Sequence, residues 1–497
     1  MKILRTLLVS LCCFGISSCA VGPDFHAPAT PPTNQYTQTK QPTKTMATTG
    51  AKNAANAQQF NLQQDIPANW WVIFHSKQIN QLVEQGLKNS PNLKAAKATL
   101  SQAQASLQAQ IGELLFPSVD FAGDAKRLRT STISFGEEDE NSIFNLYGTT
   151  FNVSYNLDVF GKSRRTIEGY QAEVDYEQYE LAGSYLSLST NIVTTSIAIA
   201  SLQDQISATK QLIRAQTNTL SITKKQYRLG GISKEDVLLQ ETTLAQTQAS
   251  LPPLKKALAE TTHSLAVLTG KYTSQQSIPR ITLAQFNLPK NLPLSLPSKL
   301  VQQRPDIKAS EALLHQANAA VGVATADLFP QFTITGDFGY LAQQTKDFFS
   351  HANNVWNIGL GLTQPVFHGG ALLSERQAVM DAYKTSVAHY QETVLEAFEN
   401  VANALSAIQM DAIEYNRQFA ANQAAMQTMQ LTEKQYRLGG VDYLTVLNAQ
   451  EKYQETKLAL IKAQAARYSD TAALYQALGG GWWHAELNTQ NLNGEKS

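Results

Sequence analysis

Cysteine is nearly absent from this sequence. The 497-residue chain has three, Cys12, Cys13 and Cys19, all near its start, which excludes a disulfide framework and a CxxC metal site. Histidine is scarce as well: eight occur, none closely spaced with another histidine or a cysteine, and HExxH is missing, so a dedicated transition-metal site has no ligand set. No GxGxxG or phosphate-loop pattern opens a helix in a βα unit. Excess charge is lacking too, with 40 basic residues against 40 acidic ones, which argues against a nucleic-acid surface. Beyond the first residues no run reaches 18 consecutive apolar residues, so a helical membrane span is not expected. A bilayer could then be crossed only as a closed β-barrel. With no convergent site, an enzyme is not expected, and neither is a bound cofactor.

What is present starts with a processing signal. Lys2 and Arg5 supply a basic start, Ile3, Leu4, Leu7, Leu8, Val9, Leu11 and Phe14 supply an apolar stretch, and small residues lead to Cys19 in Ile16-Ser17-Ser18-Cys19. Residues 1–18 read as a signal peptide. The run resembles a bacterial lipobox, in which the cysteine carries the lipid; Ala20 follows it, and the resemblance implies sorting to the outer membrane. Residues 19–69 read as a lipid-anchored tether rich in Pro, Thr, Gln, Ala and Asn, with little to bury and with order beginning at Trp70-Trp71.

Charged residues make up only 16% of the chain, and the remaining polarity is largely Gln, Asn, Ser and Thr, which suits a water-filled passage or an extensive protein contact. The chain is also duplicated. Gln226-Tyr227-Arg228-Leu229-Gly230-Gly231 recurs as Gln435-Tyr436-Arg437-Leu438-Gly439-Gly440. Phe116-Pro117 recurs as Phe329-Pro330, Val159-Phe160 as Val366-Phe367, and the helix opened by Pro91 as that opened by Arg304-Pro305-Asp306-Ile307. Each half reads helix, two strands, long helix, tight turn, helix.

The strands show a period of two. In 146–157, Tyr147, Thr149, Phe151, Val153, Tyr155 and Leu157 alternate with polar or small residues; in the second half Trp356, Ile358, Leu360 and Leu362 do the same. Their partners are expected at 119–129 and 331–341. Each is long enough for a tilted crossing of the hydrocarbon layer, yet two hairpins cannot close a barrel and would leave open edges that lipid forbids. Three copies would supply twelve strands. The loops at 130–145, with Glu137 to Glu140, and at 342–354 are expected on the cell exterior.

Between about Arg164 and Tyr227 there is no proline, and between Ala371 and Tyr436 neither proline nor glycine, predicting helices of roughly 95–100 Å at 1.5 Å per residue. Ile206, Ile213, Leu220 and Tyr227, and Tyr415, Met429 and Tyr436 with Asn422 interrupting, recur in sevens and predict helices wound about one another. The glycine pairs read as helix C-caps, with Ser233 and Asp442 opening return helices, the first broken at Pro252-Pro253 and the second running to Leu478. Asp442 and Asp236 are the carboxylates expected near the mouth of a passage, or else simple caps.

Taken with Cys19-Ala20-Val21-Gly22-Pro23-Asp24-Phe25, Trp70-Trp71, Arg304-Pro305-Asp306-Ile307 and Tyr436-Arg437-Leu438-Gly439-Gly440 before Tyr443-Leu444-Thr445-Val446-Leu447, the chain resembles the TolC-type outer-membrane efflux family, in its OprM-like lipoprotein branch. That resemblance implies an α+β membrane protein: a homotrimer whose twelve-stranded β-barrel, four strands per protomer, continues as a long periplasmic α-helical barrel. It implies lipid at Cys19 and no other cofactor. It implies contact with outer-membrane lipid, a periplasmic adaptor and an inner-membrane proton-driven efflux transporter, and passive conduction of drugs or other toxic compounds. Adaptor docking maps onto Arg228, Leu229, Gly230, Gly231, Arg437, Leu438, Gly439 and Gly440. The periplasmic gate maps onto Asp442, Leu438 and Val441, with Asp236 the weaker match because Ser233 stands where Asp442 has its counterpart. A rival role on the same scaffold is the outlet of a type I protein secretion system.

The expected division is thus helices at 70–115, a β-hairpin at 116–163, long helices at 164–272, a linker or equatorial segment, with a short strand or helix, at 273–303, a helix at 304–328, a second hairpin at 329–367, long helices at 368–478 and a tail at 479–497.

Overall fold

The structure is a computed structural model that describes residues 20–33, 35–38, 43–48, 54–61, 64–131, 141–276 and 281–484. Cys19, the acidic loop residues Glu137 to Glu140 and the end of the tail lie outside the described residues. The chain divides into two compact units.

The first unit, which includes Thr99–Gln178 and Ala309–Gln391, holds a four-stranded antiparallel sheet. In the chain the short strand β1 (Gln59–Asn61) comes first; β2 (Ser118–Ser131) and β3 (Asn141–Leu157) then form one hairpin. After β4 (Asn291–Pro293), β5 (Gln331–Ala342) and β6 (Asn354–Thr363) form the second hairpin. The two hairpins join through β3 and β5, giving the order β2-β3-β5-β6 and leaving β2 and β6 as edges. The register puts Phe121, Phe151, Phe338 and Trp356 in one row across all four strands. Because opposed residues of an antiparallel ladder share a face, the neighbouring row of Asp120, Asn152, Asp337 and Asn357 lies on the other face. Asn357 Nδ2 donates to Asp337 Oδ1 at 3.0 Å within that polar row.

The same unit orders the chain just after Cys19. Val21 N donates to Phe160 O at 3.0 Å, and Gly22, at φ +97°, lies so close to Gly322 that a side chain there would strike backbone. Asp24 accepts from Arg165 at 2.6 Å, Arg165 also pairs with Glu168 at 2.8 Å, and Phe25 stacks on His315 with centroids 4.3 Å apart.

The second unit holds the helical core. Its chain contains α1 (Lys77–Asn89), the start of α2 (Pro91–Leu115) and most of α3 (Lys162–Arg228), followed by α4 (Lys234–Ala249), α5 (Leu251–Leu268) and α6 (Pro297–Gln303). α7 (Pro305–Ala326) begins there, and the greater part of α8 (Ala371–Arg437) and all of α9 (Tyr443–Ala477) lie there. Helices α3 and α8 have 67 residues each, so the proline-free stretches run a residue or two past their expected limits. The break in the first return helix falls at Ser250, and Pro252-Pro253 occupy the first turn of α5, where the missing amides cost nothing. One window of α3 is apolar enough by composition to cross a membrane, but it is more than half buried in the protein.

Three expectations need correction. The stretch read as a tether is packed: β1 pairs in parallel with β4, Ala54, Ala55 and Ile66 are buried, and the Arg467 guanidinium donates to the carbonyls of Ala54 and Asn56. Composition missed this because backbone groups, not apolar side chains, make most of these contacts. The segment 273–303 holds a short strand and a short helix, β4 and α6, with Leu292, Leu300 and Val301 buried. The buried seam of α3 towards its end is polar, with Thr209, Gln216 and Thr223 recurring in sevens while Tyr227 is exposed. Asn422 does not interrupt the second seam; it is buried and donates to Thr456 Oγ1 at 3.3 Å.

The motif residues have structural duties here. Trp70 stacks on Tyr475 at 5.6 Å, and buried Arg304 pairs with Asp306 at 2.5 Å while donating to Ala477 O at 3.0 Å, binding the start of α7 to the end of α9.

Candidate functional site

The two glycine turns have the same geometry, bond for bond. At the end of α3, Gly230 N donates to Tyr227 O at 3.0 Å and Gly231 N to Gln226 O at 2.9 Å; at the end of α8, Gly439 N donates to Tyr436 O at 3.0 Å and Gly440 N to Gln435 O at 2.9 Å. This is the Schellman pattern, which satisfies the last carbonyls of a helix. It needs a left-handed residue, and Gly230 and Gly439 supply it at φ +73° and +77°. Lys225 and Arg228, and Lys434 and Arg437, sit in the last helical turns, where cations complement the helix dipole.

Each turn presents one apolar side chain to solvent: Leu229 is 87% and Leu438 88% exposed. Arg228, Gly230 and Gly231, and Arg437, Gly439 and Gly440, are exposed as well, and Val441 is half-buried. Duplication thus gives each chain two copies of one exposed motif, a leucine flanked by arginine and two glycines.

The two carboxylates expected near the mouth differ. Asp236 completes a capping box: Ser233 N donates to its carboxylate at 3.1 Å, and its own amide donates to Ser233 Oγ at 3.1 Å. Asp442 caps α9, its Oδ1 accepting the Thr445 amide at 2.8 Å and the Thr445 hydroxyl. Those bonds hold the fully exposed Asp442 carboxyl below the usual carboxylate range. Both carboxylates are therefore caps in the chain, and Asp442 is the more exposed of the two.

Just behind the second turn, Tyr443, Val446 and Leu447 form a small buried cluster against Leu239 and Tyr436. The Tyr443 hydroxyl donates to Gln240 Oε1, and Gln240 Nε2 donates to Gln216 O at 3.2 Å. Burial pushes the Tyr443 phenol up to about 12, so it stays a donor at any physiological pH. Sequence reading missed this latch. The signal available was a glutamine between Val237 and Leu244 on the buried face of α4.

The same is true of an acidic pair on α8 and α9. Asp411 is pushed up to about 7, first by burial and then by the neighbouring Asp470 and Glu414, while Arg467 pulls the other way. Among the described residues no cluster of three or more His, Cys, Asp or Glu side chains could hold a metal ion.

The sheet of the first unit is the other functional surface. Neither face is covered by the chain: Phe121 is 62% and Trp356 70% exposed on the apolar face, and the polar face is exposed too. The open edges of β2 and β6 leave backbone donors and acceptors unpaired.

Known proteins share this arrangement. The family model described as "Outer membrane efflux protein" matches residues 82–271 and 296–480. The antibiotic efflux pump outer membrane protein ArpC of Pseudomonas putida is 27% identical over 96% of both chains. The pyoverdine export outer membrane protein OpmQ of the same species is 29% identical over 83% of this chain and 88% of its own. Among solved structures, the outer-membrane channel OprN superposes with a TM-score of 0.84 at 26% identity, covering 93% of this chain and all of its own.

Proposed function

The chain belongs to the outer membrane efflux protein family, and from that premise we propose that three copies of it form the exit duct of a tripartite efflux pump. It is an outer-membrane channel homologous to the outer-membrane components of such pumps, and its homologues are channels rather than enzymes.

One observation carries the reading: a single-layer sheet with an apolar row on one face, a polar row on the other and two bare edges. In water such a sheet would expose a large apolar patch. In lipid its edges would leave backbone groups unpaired at several kcal/mol each. Both difficulties vanish if β6 of one copy pairs with β2 of the next until the wall closes. Three copies give twelve strands, with the row of Phe121 and Trp356 facing lipid and that of Asp120 and Asp337 facing water. The long helices then extend into the periplasm as a second barrel.

The lipobox-like run makes Cys19 the lipid-bearing residue, anchoring the protein to the outer membrane beside the barrel. The duplicated turns give a trimer six similar exposed tips, which suits a ring of hairpins from a periplasmic adaptor that in turn engages a proton-driven inner-membrane transporter. Arg228, Leu229, Gly230 and Gly231, with Arg437, Leu438, Gly439 and Gly440, are the contact residues in this reading. Asp442, Leu438 and Val441 border the mouth, and Asp236 serves its helix as a cap. Flow through the duct is passive. ArpC is named for antibiotic efflux and OpmQ for pyoverdine export, so small toxic or exported compounds fit better than a polypeptide.

Planar-bilayer recording of purified protein, together with heat-dependent migration of the oligomer on gels, tests the proposal. Ion-conducting trimers are expected. A protein that stays monomeric in mild detergent and conducts nothing would sink it.

A further inference from the structure

Within one chain the sheet is pinned at its helix-side margin by an aromatic pair. Phe160, just past the end of β3, stacks on Phe329, just before the start of β5, with centroids 4.8 Å apart and planes 25° from parallel. The pair continues the strand register: Leu157 lies opposite Phe332, and three further steps along both chains bring Phe160 opposite Phe329. Phe160 comes from the first repeat and Phe329 from the second.

Each of these residues has a duplicate, and both duplicates are bare. Val159-Phe160 recurs as Val366-Phe367, and Phe116-Pro117 matches Phe329-Pro330. Phe367 is 87% and Phe116 61% exposed, although both lie at strand–helix junctions like their partnered equivalents. Phe367 follows β6 and Phe116 precedes β2, the two strands whose outer edges are open.

We propose that Phe367 of one copy packs on Phe116 of the next, as Phe160 packs on Phe329 within a copy, so that each seam between copies carries the aromatic pin that the chain already makes once internally. The partner is a second copy of this chain, and the inference rests on the trimeric barrel reading. It also fixes a register. With Phe367 opposite Phe116, Leu362 falls opposite Phe121 and Leu360 opposite Gly123, all on the apolar face. A slip of one residue would set Leu362 against Asp120 or Ala122 and turn one strand's apolar side inward. The duplication and the face pattern therefore agree on this pairing independently.

The test uses the full-length chain with Phe116→Cys and Phe367→Cys together, treated in membranes with a short bismaleimide. Expected are covalent dimers and trimers on denaturing gels, absent from either single variant and from the unsubstituted chain. Phe160→Cys with Phe329→Cys should give only an internal link and migrate as a monomer. Should the double variant fail to assemble, co-expressing the two single variants tests the same contact with one aromatic changed per chain, and covalent dimers are expected. A native trimer that yields no cross-linked species in either format would overturn the pairing while leaving the channel standing. An unsubstituted chain that is not trimeric would remove both.

Discussion

The phenolic hydroxyl of Tyr443 donates to the side-chain oxygen of Gln240, joining the return helix of the second repeat to that of the first. Gln240 is fully buried and in turn holds Gln216 on α3, while the Tyr443 ring lies 5.2 Å from that of Tyr436 on α8. Four helices thus meet at one polar contact a single turn from the exposed glycine loop.

Replacing Tyr443 with Phe removes the hydroxyl and leaves a buried glutamine oxygen without its donor. A cost of about 1–2 kcal/mol is expected. It should appear as faster amide hydrogen exchange in α4 and the first turns of α9, with the β-sheet unchanged. Unaltered exchange at the tips would mean that the apolar cluster alone holds them.

Asp442 combines a helix cap with an exposed charge, and two substitutions separate these. Asp442→Asn keeps a good cap and removes the charge; Asp442→Ala removes both and is expected to lower local stability further. If the carboxylate borders the pore, both variants should show altered cation block in single-channel recordings. Block that changes only in Asp442→Ala would assign Asp442 to its helix alone.

The two glycines of each turn are not equivalent. Gly439 is left-handed with open space around it, so Gly439→Ala meets backbone strain of roughly 1–2 kcal/mol but no collision. Gly440 has no positive φ, and a methyl group would rest at 3.5 Å from Gln435 O, an ordinary contact. Gly440→Ala should therefore leave thermal stability almost unchanged, and Gly439→Ala should lower it. If Gly440→Ala nonetheless abolishes efflux with the trimer intact, the turn surface itself is read by a partner.

Asp411 gives the protein a pH dependence of definite sign. In the unfolded chain its carboxyl loses its proton near 3.8, whereas in the folded protein it holds the proton up to about 7. Folding takes up a proton between these values, so this residue makes stability fall as pH rises from about 4 to about 7, with the loss complete above. Asp411→Asn should raise the melting temperature at about pH 8 and change it little at about pH 4. An equal shift at both pH values would mean that burial and the acidic neighbours Asp470 and Glu414 do not raise it.

Much of the candidate site was legible because its signals are local. Alternation at Tyr147 to Leu157, the absence of proline from α3 and α8, and the Leu-Gly-Gly turns each follow from the conformational preferences of a few adjacent residues. The polar latch and the packed N-terminal stretch were not legible. Gln240 meets Tyr443, and Arg467 meets Ala54, across separations of two hundred residues or more, and no nearby residue reports such a pairing.

The seams show the limit most clearly. A period of seven was visible in α3, and Ile206 is buried as composition suggested, but Ile213 and Leu220 are only half-buried and the buried line towards the helix end is Thr209, Gln216 and Thr223. Which stripe of a helix faces inward depends on what stands opposite, and here Gln240 donates to the Gln216 carbonyl at 3.2 Å while the Thr223 hydroxyl is met within its own helix by Thr219 O at 3.0 Å.

By itself the sequence determined the elements, their duplication and the need for closure, since two apolar-faced hairpins cannot seal themselves. Only the tertiary structure decided that β3 pairs with β5, that Phe160 finds Phe329 while Phe367 is left bare, and that Tyr443 meets Gln240. These depend on distances between remote parts of one chain, and three-dimensional packing alone sets them.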